Sequence, residues 1–358
     1  MFLKSIHLQN FRNYSKADFE LSSSLTIVVG SNTAGKTNLM EAIYFLSTGK
    51  SFKGVDKDLI KFGKDLGRIK ADLDNDSEPL EIIFSNIGEK FIKKYLVNGV
   101  SRQRVKFVGH FPTVLFTPED LNLVGGSPSI RRNYMDYVLE QMDQDYRRAL
   151  LFYEKGLRAR NKLLDNAKET GVRNDEEFEY WDNIVINNGN IITRIRENFL
   201  EFVNNAIKDV FQFTIIYDKS IISKERLLQY KDAEMGSGVT LVGPHRDDLI
   251  FRMPTDKNHV DLKIFGSRGQ QRLCVLQLKR IELEFLNGAL GMKPLLLLDD
   301  IFSELDEKHI EIVLEMTHLP TALSSTRIST QQTIITTTHK EFIGQKFLEG
   351  SNVIELGK

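Results

Sequence analysis

The sequence predicts an α/β fold in which mixed β-sheets are interrupted by an inserted α-helical arm. Three observations predict it. An apolar run, Leu25 to Val29, enters a glycine-containing turn, and apolar residues at helical spacing follow over 36–47. From about 130 to 210 the chain is charged and helical in character, with no proline between Pro128 and Pro244. Beyond it strand-like pieces return, ending in four leucines and two carboxylates, Leu295 to Asp300. Strands on both flanks of the helical stretch imply a core that is discontinuous in sequence.

Taken in order, Leu3–Phe11 alternates polar and apolar residues as a half-buried strand does. Strand-like segments at 68–74, 80–87 and 91–97 are separated by Asn, Asp, Gly and Pro, and Val97-Asn98-Gly99-Val100 carries the Asn-Gly pair of a tight hairpin. Composition changes after Phe116. Ala149, Leu150, Tyr153, Leu157, Leu163 and Leu164 form an apolar stripe among Arg, Lys and Glu. A break at Glu169–Asn174 separates it from a second helical stretch, Trp181–Val210. Strands are expected at 213–217, 239–242, 249–253 and 260–264, a helix at 268–287, a loop at 321–333 and a last strand at Ile334–Thr337. The expected organisation is a first core segment at 1–116, the arm at 117–238 and a second core segment at 239–358.

Composition bounds the function. The 358 residues suit about two domains at roughly 150 residues each. No apolar run approaches the ~20 residues that span a bilayer, so no membrane partner is expected. The first residues show no signal-peptide pattern, and one cysteine, Cys274, suits a reducing cytoplasm and simple core packing. With 48 basic and 49 acidic residues, net charge −1 does not by itself suggest a nucleic-acid partner.

The chemistry lies in three motifs. Gly30-Ser31-Asn32-Thr33-Ala34-Gly35-Lys36-Thr37 fits the phosphate-binding pattern GxxxxGK[ST] between a strand and a helix. Backbone N–H groups of such a loop and the helix N-terminus form an anion cradle. Lys36 would neutralise the β- and γ-phosphates of ATP, and Thr37 would coordinate Mg2+. Asp299, at the end of the leucine strand, would hold Mg2+ largely through water, and Asp300 would orient or deprotonate the attacking water. Ser267-Arg268-Gly269-Gln270, opening a helix about 30 residues before the carboxylates, is a second anion-binding turn. A GTPase of the Ras type is excluded, because Asn161-Lys162-Leu163-Leu164-Asp165 lacks the base-reading spacing and lies in a helical stretch.

At this spacing the Ser267 turn resembles the signature motif of ABC-type ATPases, Ser303–Asp306 their D-loop and His339 their switch histidine. The whole chain resembles the RecF family of bacterial DNA repair proteins. The matching stretches are Leu8–Tyr14, the phosphate loop with Asn38–Tyr44, Lys50–Phe52, Pro118–Leu121, Gly126–Pro128 with Arg131-Arg132, Gly243–Asp248, Gly266–Arg272 and Asp299–Asp306. Thr33 stands where the family usually has Gly or Ala. Asp300 is one methylene shorter than the usual ABC glutamate, and the Pro118-Glu119 turn lies where many ABC ATPases carry a glutamine.

The resemblance implies an ABC/SMC-type ATPase head with mixed sheets and a short helical arm. It implies a nucleotide site including Arg12 and Asn38, with Ser267, Gly269 and Gln270 reaching the γ-phosphate held by a second subunit. It also implies an ATP-dependent homodimer that binds double-stranded DNA and single-strand/double-strand junctions and acts with RecR and RecO in loading recombinase. Slow hydrolysis assisted by Asp300, Lys36 and His339 would then be a release timer in the cytoplasm, on the nucleoid.

For DNA, local charge must do what net charge does not. Residues 89–106 hold Lys90, Lys93, Lys94, Arg102, Arg104 and Lys106 against one acid, Glu89; Arg131 and Arg132 open the arm, and Arg158, Arg160 and Lys162 follow on it. Trp181 is expected to anchor helices. The alternative to a DNA-binding switch is the ATPase subunit of an ABC transporter, against which Leu8–Tyr14 and the long arm argue.

Overall fold

The structure, a computed structural model, describes residues 2–74, 78–256, 258–301, 310, 313, 331–338 and 351–357. The chain divides into two compact units: Met1–Leu121 with Leu278–Lys358, and Asn122–Gln277. The inserted unit therefore extends beyond the expected end at 238. The reason is strand pairing, because a strand before that boundary, Thr214–Asp218, is hydrogen-bonded to one after it, Asp248–Pro254.

The first unit opens with β1 (Leu3–Phe11), β2 (Tyr14–Glu20) and β3 (Leu25–Gly30), then α1 (Lys36–Thr48). It continues with β4 (Leu66–Leu73), β5 (Leu80–Ile87), β6 (Lys90–Val97), β7 (Val100–Arg102), the short α2 (Arg104–Phe107) and β8 (Thr113–Phe116). The other unit holds α3 (Asn122–Gly125), α4 (Pro128–Met142), α5 (Gln144–Thr170), α6 (Asp175–Asn205), β9 (Thr214–Asp218), α7 (Lys224–Gln229), α8 (Lys231–Ser237), β10 (Asp248–Pro254), β11 (His259–Asp261) and α9 (Leu262–Phe265). Helix α10 (Arg268–Leu290) contains the division, and β12 (Leu295–Asp299), β13 (Thr333–Thr337) and β14 (Asn352–Leu356) return to the first unit.

Two sheets build the first unit. One is antiparallel, ordered β2-β1-β4-β5-β6-β7; the other is parallel, ordered β14-β3-β13-β12-β8. Helix α1 packs on strands of both sheets, so it is buried nearly all round rather than along one stripe. Gln332 joins the N-terminal strand to this core, its amide taking the Leu3 N–H and donating to the Leu3 and Ser22 carbonyls. No helix among the described residues is long and apolar enough to cross a membrane.

In the second unit α5 and α6 pack as a helical pair. Asp143 caps α5 by accepting the N–H groups of Asp145 and Tyr146, and Gly171 ends it in the left-handed region (φ 73°). The expected helical break is thus present, with an additional one at Asp143. Residues 239–242, expected as a strand, are irregular, because helix side chains take their backbone: Asn161 Oδ1 accepts the Thr240 N–H and Glu234 Oε1 the Leu241 N–H. Residues 262–265 are helix α9 rather than strand. Strands β2, β8 and β14 have no counterpart in the sequence reading.

Candidate functional site

The phosphate loop leaves β3 and enters α1. Gly35 sits at φ 106°, and a Cβ there would lie 2.7 Å from Tyr14 Oη and 2.8 Å from Asn13 Nδ2, so both backbone conformation and space demand glycine. Tyr14 donates to the Gly35 carbonyl (3.1 Å), and burial pushes its phenol up to about 12, keeping it a donor at neutral pH. Lys36 is buried, and its Nζ donates to the carbonyls of Gly30 (2.8 Å) and Ser31 (3.1 Å). Ser31, Asn32 and Thr33 are exposed; Thr33 has φ 78°, a left-handed backbone that glycine adopts freely and a β-branched residue only at a cost.

The turn between β1 and β2 lies over this loop. Asn38 donates to Asn13 Oδ1 (2.8 Å). Arg12, at φ 49°, places Nε and Nη2 on the fully buried carboxylate of Glu41 in α1, and Nη1 on the Asp58 carbonyl (2.9 Å). Ser51 also donates to Glu41 (2.6 Å). Arg12, Asn13 and Asn38 line one side of a cleft of about 600 Å³ whose other walls include Lys57, Lys61, Phe62 and Lys64. Phe62 is fully exposed.

Sheet order brings the carboxylates to the loop, since β13 separates β3 from β12 and all three run parallel. Thr37 Oγ1 donates to Asp299 Oδ1 (3.3 Å), as does Thr336 Oγ1 (2.7 Å), and the Asp300 N–H donates to Thr336 Oγ1 (2.9 Å). Burial raises the Asp299 pKa above its ordinary value, against the hydrogen bonds from Thr336 and Thr37. Hard oxygen donors of this kind suit Mg2+, which typically takes one or two carboxylates and completes its shell with phosphate oxygens and water. Thr37 and Asp299 are thus brought together, while Lys36 Nζ stays on the carbonyls of its own loop. His339 and Ser303–Asp306 lie outside the described residues.

Ser267, Gly269 and Gln270 belong to the second unit. Ser267 and Gln270 cap α10 reciprocally, Gln270 Oε1 accepting the Ser267 N–H (2.8 Å) and Ser267 Oγ the Gln270 N–H (3.2 Å). A Cβ on Gly269 would meet only Ser267 Oγ, at 3.9 Å, so its own chain does not require glycine there.

The expected DNA contacts divide sharply. Contrary to expectation, Arg131 and Arg160 are both buried, so neither reaches a phosphate. Arg131 forks onto Asp248 (2.6 and 3.0 Å), and Arg160 bonds Asp182 (2.6 Å), Glu234 (2.7 Å) and Thr240 (2.8 Å). Lys93 is held by Asp56 (2.5 Å) and the Gly49 carbonyl, Arg104 by the Thr48 carbonyl, and half-buried Arg132 by the Asp247 carbonyl. Exposed cations remain at Lys90, Lys94, Arg102 and Lys106 in one unit and at Arg158 and Lys162 in the other.

His245, in the Gly243–Asp248 motif, is a brace. Its Nε2 faces the Thr240 carbonyl, which only accepts, so Nε2 carries the proton and Nδ1 accepts from Tyr153 Oη (2.7 Å). Burial lowers its pKa to about 4, so the ring is neutral. Cys274 is fully buried, and Trp181 is half-buried against Tyr180.

A phosphate loop on a parallel strand, a carboxylate two strands away and a capped Ser-x-Gly-Gln helix on an inserted helical unit define an ATPase head of the ABC type, in its SMC form. The family described as RecF/RecN/SMC N-terminal domain matches residues 2–352. A DNA replication and repair protein RecF of Bacillus cereus strain AH820 is 34% identical over an alignment of 381 positions, covering 99% of this chain and 97% of the relative; one from Bacillus anthracis strain A0248 matches equally. Among solved structures, that of the recombination mediator protein RecF-ATP in the RecFOR pathway superimposes with a TM-score of 0.82 at 31% identity, covering 96% of this chain and 93% of the other. An SMC head bound to the C-terminal winged-helix domain of ScpA (TM-score 0.50, 16% identity, 96% and 91% covered) shares the fold. The chain belongs to the RecF family of DNA replication and repair proteins.

Proposed function

We propose that this protein is an ATP-gated, DNA-binding recombination mediator that acts with RecR and RecO in the cytoplasm. The observation that carries the reading is the hydrogen bond between Thr37 and Asp299 at the loop that holds Lys36. Solved RecF-ATP in the RecFOR pathway supports both the nucleotide and the partners. On this reading Lys36 Nζ turns from the Gly30 and Ser31 carbonyls to phosphate oxygens. The loop N–H groups of 31–37 complete the cradle. Asn13, Asn38 and the lysine-lined cleft take the ribose and base, with Arg12 fixing the turn through Glu41. Thr37 and Asp299 would hold Mg2+, which would neutralise charge on the transferring phosphoryl group.

Ser267, Gly269 and Gln270 of a second copy close over the γ-phosphate, the open space at Gly269 leaving room for it. Each such contact favours the dimer over the monomer, which makes the nucleotide a switch. Asp300 orients a water and takes its proton as the water oxygen bonds the γ-phosphorus and the bond to the bridging oxygen of ADP breaks, and the dimer opens. The exposed cations Lys90, Lys94 and Arg102 in one unit, and Arg158 and Lys162 in the other, each offer phosphate contacts suited to duplex and junction DNA rather than to sequence.

Light scattering with ATP, with and without duplex or gapped DNA, tests the reading. Dimer formation and DNA retention are expected only with ATP, and loss of both in Lys36→Ala. ATP-independent dimerisation and DNA retention would overturn it.

A further inference from the structure

We propose that Thr336 is a positioning residue for hydrolysis, its single hydroxyl setting both the metal-side carboxylate of Asp299 and the backbone of Asp300. The inference rests on the ATP-hydrolysing reading above and adds a residue that no motif contains.

The geometry is complete at this one atom. Thr336 is fully buried on β13, and its Oγ1 donates to Asp299 Oδ1 at 2.7 Å while accepting the Asp300 N–H at 2.9 Å. A hydroxyl has one proton. With that proton on Asp299 and a lone pair on Asp300, its rotor is fixed, and the β-branched threonine is stiff about χ1. The parallel register places Thr336 opposite Asp299, so both bonds follow from one pairing.

The two bonds have different consequences. Asp300 has φ 50°, a left-handed backbone that costs a non-glycine residue about 1 kcal/mol, and the bond to Thr336 holds it at the point where the strand ends. The bond to Asp299 matters because the carboxylate's other hydroxyl donor, Thr37, sits at 3.3 Å and is the weaker of the two. Thr37 is also the hydroxyl that would turn to a cation. When it does, Thr336 keeps the buried Asp299 hydrogen-bonded and its plane unchanged. The site can therefore exchange Thr37 without losing the orientation of its carboxylate.

Three variants of the full chain test this. Thr336→Val keeps the shape and removes both bonds; Thr336→Ala removes them without placing a second methyl against the carboxylate; Thr336→Ser keeps the hydroxyl. Turnover of ATP with DNA present, at saturating nucleotide and divalent metal, is expected to fall about tenfold or more in the Val and Ala variants. Mn2+ affinity in the presence of nucleotide, read by electron paramagnetic resonance, is expected to fall in parallel, while affinity for a fluorescent ATP analogue without divalent metal stays the same. Thr336→Ser is expected to recover turnover and Mn2+ affinity to within about threefold of the unsubstituted protein. Unchanged turnover and Mn2+ affinity in Val or Ala, or a Ser variant as impaired as Val, would overturn the positioning role alone. Failure of the unsubstituted protein to bind nucleotide would overturn the ATP reading and this inference with it.

Discussion

Arg12 clasps Glu41 with both arms of its guanidinium, Nε and Nη2 each 2.7 Å from a carboxylate oxygen. The pair joins the turn after β1 to the helix that follows the phosphate loop, and Glu41 has no exposure to water. The hydrogen bond to Glu41 raises the Arg12 pKa against the effect of burial, so the charge is permanent.

Arg12→Ala strands a buried carboxylate. A loss of about 3–5 kcal/mol is expected, against clearly less for Arg12→Ala with Glu41→Gln together, where no buried charge is left unpaired. Urea unfolding of the two single variants and the double variant measures it.

His7 links three adjacent strands, its ring nitrogens 2.6 Å from Asp18 Oδ1 and 3.1 Å from Asp72 Oδ2. Burial alone would lower its pKa, but hydrogen bonds to Asp18 and Asp72 outweigh it and raise the pKa above 6.5. A raised folded-state pKa makes the stabilisation full below about pH 6.5 and lost as pH rises through the folded value. His7→Gln is expected to flatten this part of the stability-against-pH curve and leave stability well above it unchanged. Thermal melts across pH 5.5–8.5 in low salt, where a half-exposed pair is least screened, show it.

Arg158 and Arg160 lie two positions apart on α5, yet their roles separate. Arg160→Ala is expected to cost about 3–5 kcal/mol, because it leaves the fully buried Glu234 unpaired and removes the bond to half-buried Asp182. Arg158→Ala leaves stability within about 0.5 kcal/mol, its contact with Glu154 being a loose surface pair at 3.9 Å. DNA affinity is expected to fall only for Arg158→Ala, once both variants are measured at temperatures where they are folded.

Ser267→Arg places a long cation on an exposed helix cap. Nucleotide binding is expected to survive and ATP-dependent dimerisation to be lost, read by nucleotide fluorescence and light scattering on one sample. A normal dimer with ATP would be incompatible with a γ-phosphate closed by a second copy.

Much of the site is visible in the sequence because its chemistry is local. The strand, loop and helix over 25–48 are contiguous, and the two carboxylates end an uninterrupted apolar strand. The Ser267–Gln270 cap needs only residues three apart. What escaped the sequence reading depends on partners far along the chain. Arg160 and Arg158 look alike until Asp182, Glu234 and Thr240, up to 80 positions away, surround one of them. The sequence puts Thr336 on a strand, but its hydroxyl acquires meaning only from the register with β12. Strands β8 and β14 are short, and β2 alternates weakly because most of its residues face water, so none carries a clear period. Residues 239–242 have strand composition but meet helix side chains instead of a neighbouring strand.

The burial of arginine in the arm bears on how salt would act on DNA binding. Arg131, Arg160 and Arg196 are each neutralised inside the protein, by Asp248, by Asp182 and Glu234, and by Asp136 and Asp247. A cation already matched in the interior releases no counterion when a duplex arrives. The steepness of log affinity against log salt then counts only the outward-facing cations, at about 0.9 per phosphate neutralised. Two chains brought together double that count without any new residue, so the ionic-strength slope, more than the affinity, reports whether one copy or two grips the DNA.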